Sequence, residues 1–316
     1  MNIWSEQVRR QVRMVVDQIA DLRARENCES YTSSLEVYYE MLESLFDQDL
    51  RLAQVRDNSD LLLRVEGEAF NNDPRLQLVT SVFDNVTHRV TDLTKAILGT
   101  GADETVKPKS VDLSLSGIAR SSLYFGLKAT ASETNNGGGL LGQEDTLYKS
   151  TKWALKVIDD VAHVVETDAE HVSMQGVSDV VADPKIRDAA LVAVQRLSPS
   201  KQSKVDSISV SGANEKPAKL NAMHRKAIRD CLYKPVIGGD EIEFEGQVRE
   251  IDLDARRFEL RGISDAKVRD LRCAYRGVDI NPNQLLGTKA RVRGLVERMA
   301  DGIPRLMSIT KLEIVG

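Results

Sequence analysis

The chain is poor in the residues that mark several functional classes. Its 316 residues include three cysteines, Cys28, Cys231 and Cys273, far apart and without a CxxC pair. That argues against a disulfide framework and a structural zinc site, and reads as small buried thiols. Aromatics make up only 5%, which leaves few side chains for stacking platforms. No apolar run approaches the ~18 residues of a membrane span, and Met1 to Glu6 lack the apolar core of a signal peptide, so a cytoplasmic chain is expected. There is no GxxxxGK[ST] loop, GxSxG elbow or HExxH pair.

Histidine is scarce too. His163 and His171 are separated by eight positions that match no zinc-ligand pair, and His88 lies off the seam of its helix. His224, beside Arg225, Lys226 and Arg229, reads as part of a basic helix face. Gly137-Gly138-Gly139-Leu140-Leu141-Gly142 fits GxGxxG, but no strand runs into its first glycine, so it reads as a mobile loop. No catalytic residue, metal or cofactor is assigned, and a non-enzymatic chain is expected.

What remains is an ordinary soluble composition, with 41% hydrophobic and 29% charged residues, enough for two or three domains. The net charge of −5 is unevenly spread: −6 over residues 1–100, 0 over 101–240 and +1 over 241–316. The acidic end is thus the least suited to a polyanion.

Periodicity divides the chain into three segments within a multi-domain α+β fold. Residues 1–98 read as an N-terminal helical bundle. Val8, Val12, Val15, Ile19 and Leu22 form one apolar stripe, and Leu61 to Val65 read as a shorter helical piece. Asp73-Pro74 opens a helix carrying Val79, Phe83, Val86, Val90, Leu93 and Ile97 at heptad-like spacing. That stripe predicts either a bundle seam or a homo-oligomer interface through residues 1–98. A polar linker, Gly99 to Ser110, follows.

Residues 105–234 read as a central α+β segment. Val111, Leu113 and Leu115, then Leu123, Phe125 and Leu127, alternate like a β-hairpin. Helices follow over Lys152 to Val165 and behind Asp183-Pro184, then a strand over Val205 to Val210 and a helix from about Asn221. A second linker spans Lys234 to Asp240.

Residues 240–316 alternate with period two through five strands, broken after the third by a short helical piece, Asn281 to Leu286. The stretches are Glu241-Ile-Glu-Phe-Glu-Gly-Gln-Val-Arg-Glu-Ile-Asp252, Arg257-Phe-Glu-Leu-Arg261, Leu271 to Tyr275, Leu286-Gly-Thr-Lys-Ala-Arg-Val-Arg-Gly-Leu-Val296 and Arg305 to Val315. This order resembles an OB-fold barrel; an SH3-like barrel is the rival.

The resemblance implies a binding face over strands two and three. With Phe258, Leu260, Leu271, Cys273 and Tyr275 inward, Arg257, Arg261, Arg272 and Arg276 point outward, and Arg291 and Arg293 extend the set or lie elsewhere. Such guanidiniums suit phosphates, while the inward aromatics remove the stacking platform. The competing reading is a salt-bridged barrel exterior. The chain therefore reads as an adaptor binding nucleic acid through the barrel. The alternative is a subunit that docks a partner protein in a multi-protein bacterial system, such as antiviral phage defence. No membrane contact is expected.

Overall fold

The computed structural model describes residues 3–24, 32–70, 74–99, 113–119, 123–130, 141–212, 216–232, 236, 241–253, 256–263, 268–275, 281–299 and 302–315. Cys28, Asp73, Asn135 to Gly139, Arg276 and most of both linkers lie outside the described residues. The fold is α+β: N-terminal helices, a central sheet and a closed C-terminal barrel. The chain divides into two compact units, residues 1–166 with 193–225, and residues 167–192 with 226–316. Among the described residues no helix is long and apolar enough to cross a membrane.

In the first unit, α1 (Ile3–Ala24) turns its apolar stripe onto α2 (Thr32–Ser44). Val15, Ile19, Leu35 and Leu45 form a small core, with Val8, Val12 and Leu22 against it. A π-helical turn, Leu45–Asp49, leads into α3 (Leu50–Asn58). The start of α1 is held by Asp57, whose carboxylate accepts from the amides of Trp4 (3.0 Å) and Ser5 (2.8 Å). These are amides that a helix leaves without internal partners.

Leu61 to Val65 form a strand, not a helical piece: β1 (Leu61–Glu66). It is the centre of a five-stranded antiparallel sheet with β2 (Leu113–Ala119), β3 (Leu123–Ala129), β4 (Ser207–Ser211) and β5 (Ala218–Leu220), in the order β2-β3-β1-β4-β5. Residues 1–98 thus supply the middle strand of a sheet whose other strands come from the central segment. Both faces of β1 are covered, so Leu61, Leu62, Leu63 and Val65 are all buried and the period-two signal is lost.

One face of the sheet carries Leu61, Leu63, Val65, Phe125 and Val210. Against it lie α4 (Leu76–Leu98) and α5 (Leu141–Glu166), and Phe83 meets Phe125 edge-on at 4.7 Å. Of the stripe Val79, Phe83, Val86, Val90 and Leu93, the last three are buried within the chain, and Val79 and Phe83 are half-buried. The other face carries Leu62, Arg64, Tyr124 and Gly126 under α3. A side chain at Gly126 would run into Ser59 and Ser116, whose hydroxyls hydrogen-bond there.

In the second unit β6 (Glu241–Asp252), β7 (Arg257–Arg261), β8 (Asp270–Ala274), β9 (Lys289–Arg298) and β10 (Pro304–Val315) close into a barrel in the order β10-β8-β7-β6-β9. β8 and β10 are parallel and the other pairs antiparallel, with a short helix, α9 (Pro282–Leu285), between β8 and β9. That order, with its parallel pair and its helix after the third strand, makes the barrel OB-like and decides against the SH3-like rival. Phe244, Val248, Phe258, Leu260, Leu271, Cys273, Val292 and Met307 fill its interior. Gly294 lets β9 and β10 approach, since a Cβ there would overlap the backbone of Ser308 and Ile309.

Two helices directly precede β4, α6 (Met174–Val180) and α7 (Pro184–Leu197), the first of them not anticipated. α6 and the first half of α7 fall in the second unit with the barrel. There Arg187, fully buried, sets its guanidinium against the carboxylate of Glu297 on β9 and within 2.9 Å of Asp188; Arg305 on β10 pairs with Asp188 as well.

Candidate interaction face of the barrel

Strand alternation places the expected residues. Phe258, Leu260, Leu271 and Cys273 point inward and are buried, so Arg257, Glu259 and Arg261 on β7 and Asp270 and Arg272 on β8 point outward. Register then sets charge against charge: Glu259 faces Arg272 and Arg261 faces Asp270. Tyr275 is buried with Phe258, ring centroids 6.1 Å apart, so neither offers a face for a base. Burial also pushes the Cys273 thiol up, away from a reactive thiolate.

The outward arginines are paired. Arg261 lies 2.8 Å from Glu259, 3.4 Å from Glu250 and 3.8 Å from Asp270. Glu259 above all holds the Arg261 guanidinium above its ordinary pKa. Arg257 hydrogen-bonds Asp252 at 3.0 Å. Arg272 makes no ion pair among the described residues and, with Arg257, Glu250, Asp252 and Glu259, lines a cavity of about 320 Å³.

Arg291 and Arg293 do not join this face. Both stand on β9, which pairs with β6 and β10, not with β7 or β8. There Arg291 binds Glu245 (2.9 Å) and Glu243 (3.5 Å), Arg293 binds Glu241 (2.8 Å) and Lys289 binds Glu245 (2.6 Å). Hydrogen bonds from Lys289 and then Arg291 hold the Glu245 carboxyl below its ordinary range. β6 and β9 are thus laced by a ladder of opposite charges.

Two of the four histidines, His163 and His224, are held within the fold. His163 Nδ1 lies 2.8 Å from the Asp159 carbonyl and Nε2 2.6 Å from the Lys216 carbonyl. Both contacts are to carbonyl acceptors, which suits the protonated ring with both nitrogens donating, and the ring lies 3.3 Å from the buried Asp159 carboxylate. His224 is buried at the start of α8 (Ala222–Cys231) rather than on a basic surface, and burial lowers its pKa. Among the described residues no three His, Cys, Asp or Glu side chains are grouped to hold a metal ion.

Periodicity did not reveal the buried Arg187–Glu297 pair, because its members lie 110 positions apart. It also missed a cavity over Arg64 and Tyr124, whose lining comes from separate segments. No family model, curated protein or solved structure matches the chain.

Proposed function

We propose that the chain is a non-enzymatic interaction subunit whose OB-like barrel docks a protein segment of mixed charge over β7 and β8. The observation that carries this reading is the pairing on that face: Arg257 and Arg261 are already engaged by Asp252, Glu250, Glu259 and Asp270, and Arg272 stands opposite Glu259. A polyanion would meet those carboxylates and break ion pairs that already exist. A protein segment bearing both signs exchanges one pair for another. Apolar side chains left exposed in the first unit, Met14, Val37, Met41 and Phe46, also suit a protein partner.

One observation favours a second reading, in which the barrel takes a nucleic acid: Arg272 is without an ion pair among the described residues and shares a cavity with Arg257. Fluorescence anisotropy of the full chain with labelled single- and double-stranded oligonucleotides separates the two. The nucleic-acid reading expects binding that weakens with salt, at a log–log slope of about −0.7 per neutralised phosphate on single strands, and disappears in Arg261→Glu/Arg272→Glu. The docking reading expects no binding sensitive to that double change. It further expects cross-links from a native, nuclease-treated lysate to map to β7 and β8, and to vanish in Glu259→Lys/Asp270→Lys. Cross-links mapping only elsewhere would reject it.

A further inference from the structure

A second site lies in the first unit, away from the barrel. The sheet face that carries Arg64 and Tyr124 is polar, and the two residues sit directly opposite each other on β1 and β3. Beside them, toward Leu62 and Gly126, α3 packs closely on the sheet; a Cβ at Gly117 would already strike Val55. Over Arg64 and Tyr124, α1 and α3 roof a cavity of about 530 Å³ whose lining mixes apolar side chains, among them Val8 and Leu52, with polar ones. That volume lies within the ~300–1,000 Å³ range of small-molecule sites.

The lining is chemically specific. The Arg56 guanidinium on α3 lies over the Trp4 ring, its carbon 3.5 Å from the ring centroid, a cation–π contact that holds the cation at the cavity wall. Arg64 is steadied from behind by Glu66, 3.2 Å away, which is itself bound by Lys219 at 2.7 Å. Both guanidiniums act on the Tyr124 phenol: burial raises its pKa, and Arg56 and Arg64 pull against that rise. Among the described residues the Tyr124 hydroxyl and the side-chain amides of Gln7 and Gln11 have no hydrogen-bond partner, and all three border the cavity. Gln7 and Gln11 are exposed and Tyr124 is half-buried, so their polar ends are open to water and to a ligand entering the cavity.

We infer that this cavity binds a small organic oxyanion, a carboxylate or phosphate ester. Arg56 and Arg64 would hold the charged oxygens, with Tyr124, Gln7 and Gln11 giving directional hydrogen bonds. Two guanidiniums and a phenol offer several N–H and O–H donors to the multiply accepting oxygens that a carboxylate and a phosphate ester share. The acidic side chain in the lining, Asp49, stands on the π-helical turn, while both arginines flank the tyrosine.

The chain has two tryptophans, Trp4 and Trp153, so in the full-length Trp153→Phe protein the emission reports Trp4 alone. Titration with phenyl phosphate and with benzoate should give a saturable change in that emission, and benzylammonium should give none. Arg64→Met should weaken binding at least about tenfold, the loss of a charge-assisted hydrogen bond, and Tyr124→Phe several-fold. If Arg64→Met does not fold by circular dichroism, Tyr124→Phe decides, since it removes a single oxygen. No saturable change with either anion at millimolar concentration would overturn the inference. So would equal binding of benzylammonium, or affinity unchanged in the folded variants.

Discussion

Arg187 on α7 and Glu297 on β9 form a two-point ion pair with neither side chain open to water: both guanidinium nitrogens, Nη1 and Nη2, meet the Glu297 carboxylate. Burial pulls the Arg187 pKa down, but Glu297 and then Asp188 outweigh it, so the charge stays. Around it Asp188 and Arg305 complete a four-member network that ties the helix to two barrel strands.

Removing one partner strands the other in a dry environment. Arg187→Met or Glu297→Leu alone should each cost about 3–5 kcal/mol in denaturant unfolding, and Arg187→Met/Glu297→Leu together should cost less than either. A double variant as unstable as the sum of the singles would show that the two side chains act independently.

The His163 imidazolium gives a pH dependence with a definite sign. Burial pulls its pKa down, but the carbonyls of Asp159 and Lys216, and after them the carboxylates of Asp159 and Glu166, raise it above the ordinary value. A raised folded pKa means stability fully present below the unfolded value of about 6.5 and lost as pH rises through the folded one. Because His224, whose pKa is lowered, contributes with the opposite sign, the His163 effect is read from the difference in midpoint denaturant concentration between wild type and His163→Gln, which should shrink as pH rises. His163→Gln should lower stability most at the acid end; a difference that does not change with pH would assign the titration to another group.

Asp57 works in the opposite direction. Burial pushes its carboxyl up, but the Ser5 side chain and the amides of Ser5 and Trp4 outweigh this and hold it below the ordinary carboxylate range. Its contribution is present above the unfolded pKa of about 3.9 and lost as pH falls through the lower folded value. Asp57→Ala should cost about 1 kcal/mol at neutral pH, the usual value of an N-terminal cap, and Asp57→Asn less. Because Asp57 anchors α1, loss of protection should appear first in the amides of Trp4 and Ser5 by hydrogen exchange.

How far the sequence carried differs by element, for physical reasons. The barrel was legible because each strand has one buried and one wet face, as in Phe244, Gly246 and Val248 against Glu243, Glu245 and Gln247. β1 was not, because a central strand covered on both sides shows Leu61-Leu62-Leu63 without alternation. β5 is three residues long, too short to show a period. Alternation along one strand accounts for the outward positions of Arg257, Arg261 and Arg272, while Arg276 lies outside the described residues; the carboxylate partners depend on register across strands, which spacing along one strand does not contain. The cavity residues Trp4, Arg56, Arg64 and Tyr124 come from four elements and share no motif.

The stripe Val79, Phe83, Val86, Val90 and Leu93 supplies the sharpest test of what a heptad-like pattern means here. At the sequence level it suits either a seam within one chain or an interface between two copies. In the fold Val86 and Val90 are 2% and 0% exposed within a single chain, and Phe83 on the same helix packs on Phe125. A surface interface would tolerate Val86→Asp/Val90→Asp and simply release a folded monomer. A core seam would not, because each carboxylate would be buried without a partner, at a cost of more than about 4 kcal/mol for the pair. The expected outcome is loss of cooperative thermal unfolding, or a much lower midpoint, with Val86→Ala milder. Light scattering and circular dichroism on the same samples decide: a well-folded double variant with half the wild-type mass would assign the stripe to self-association and not to the core.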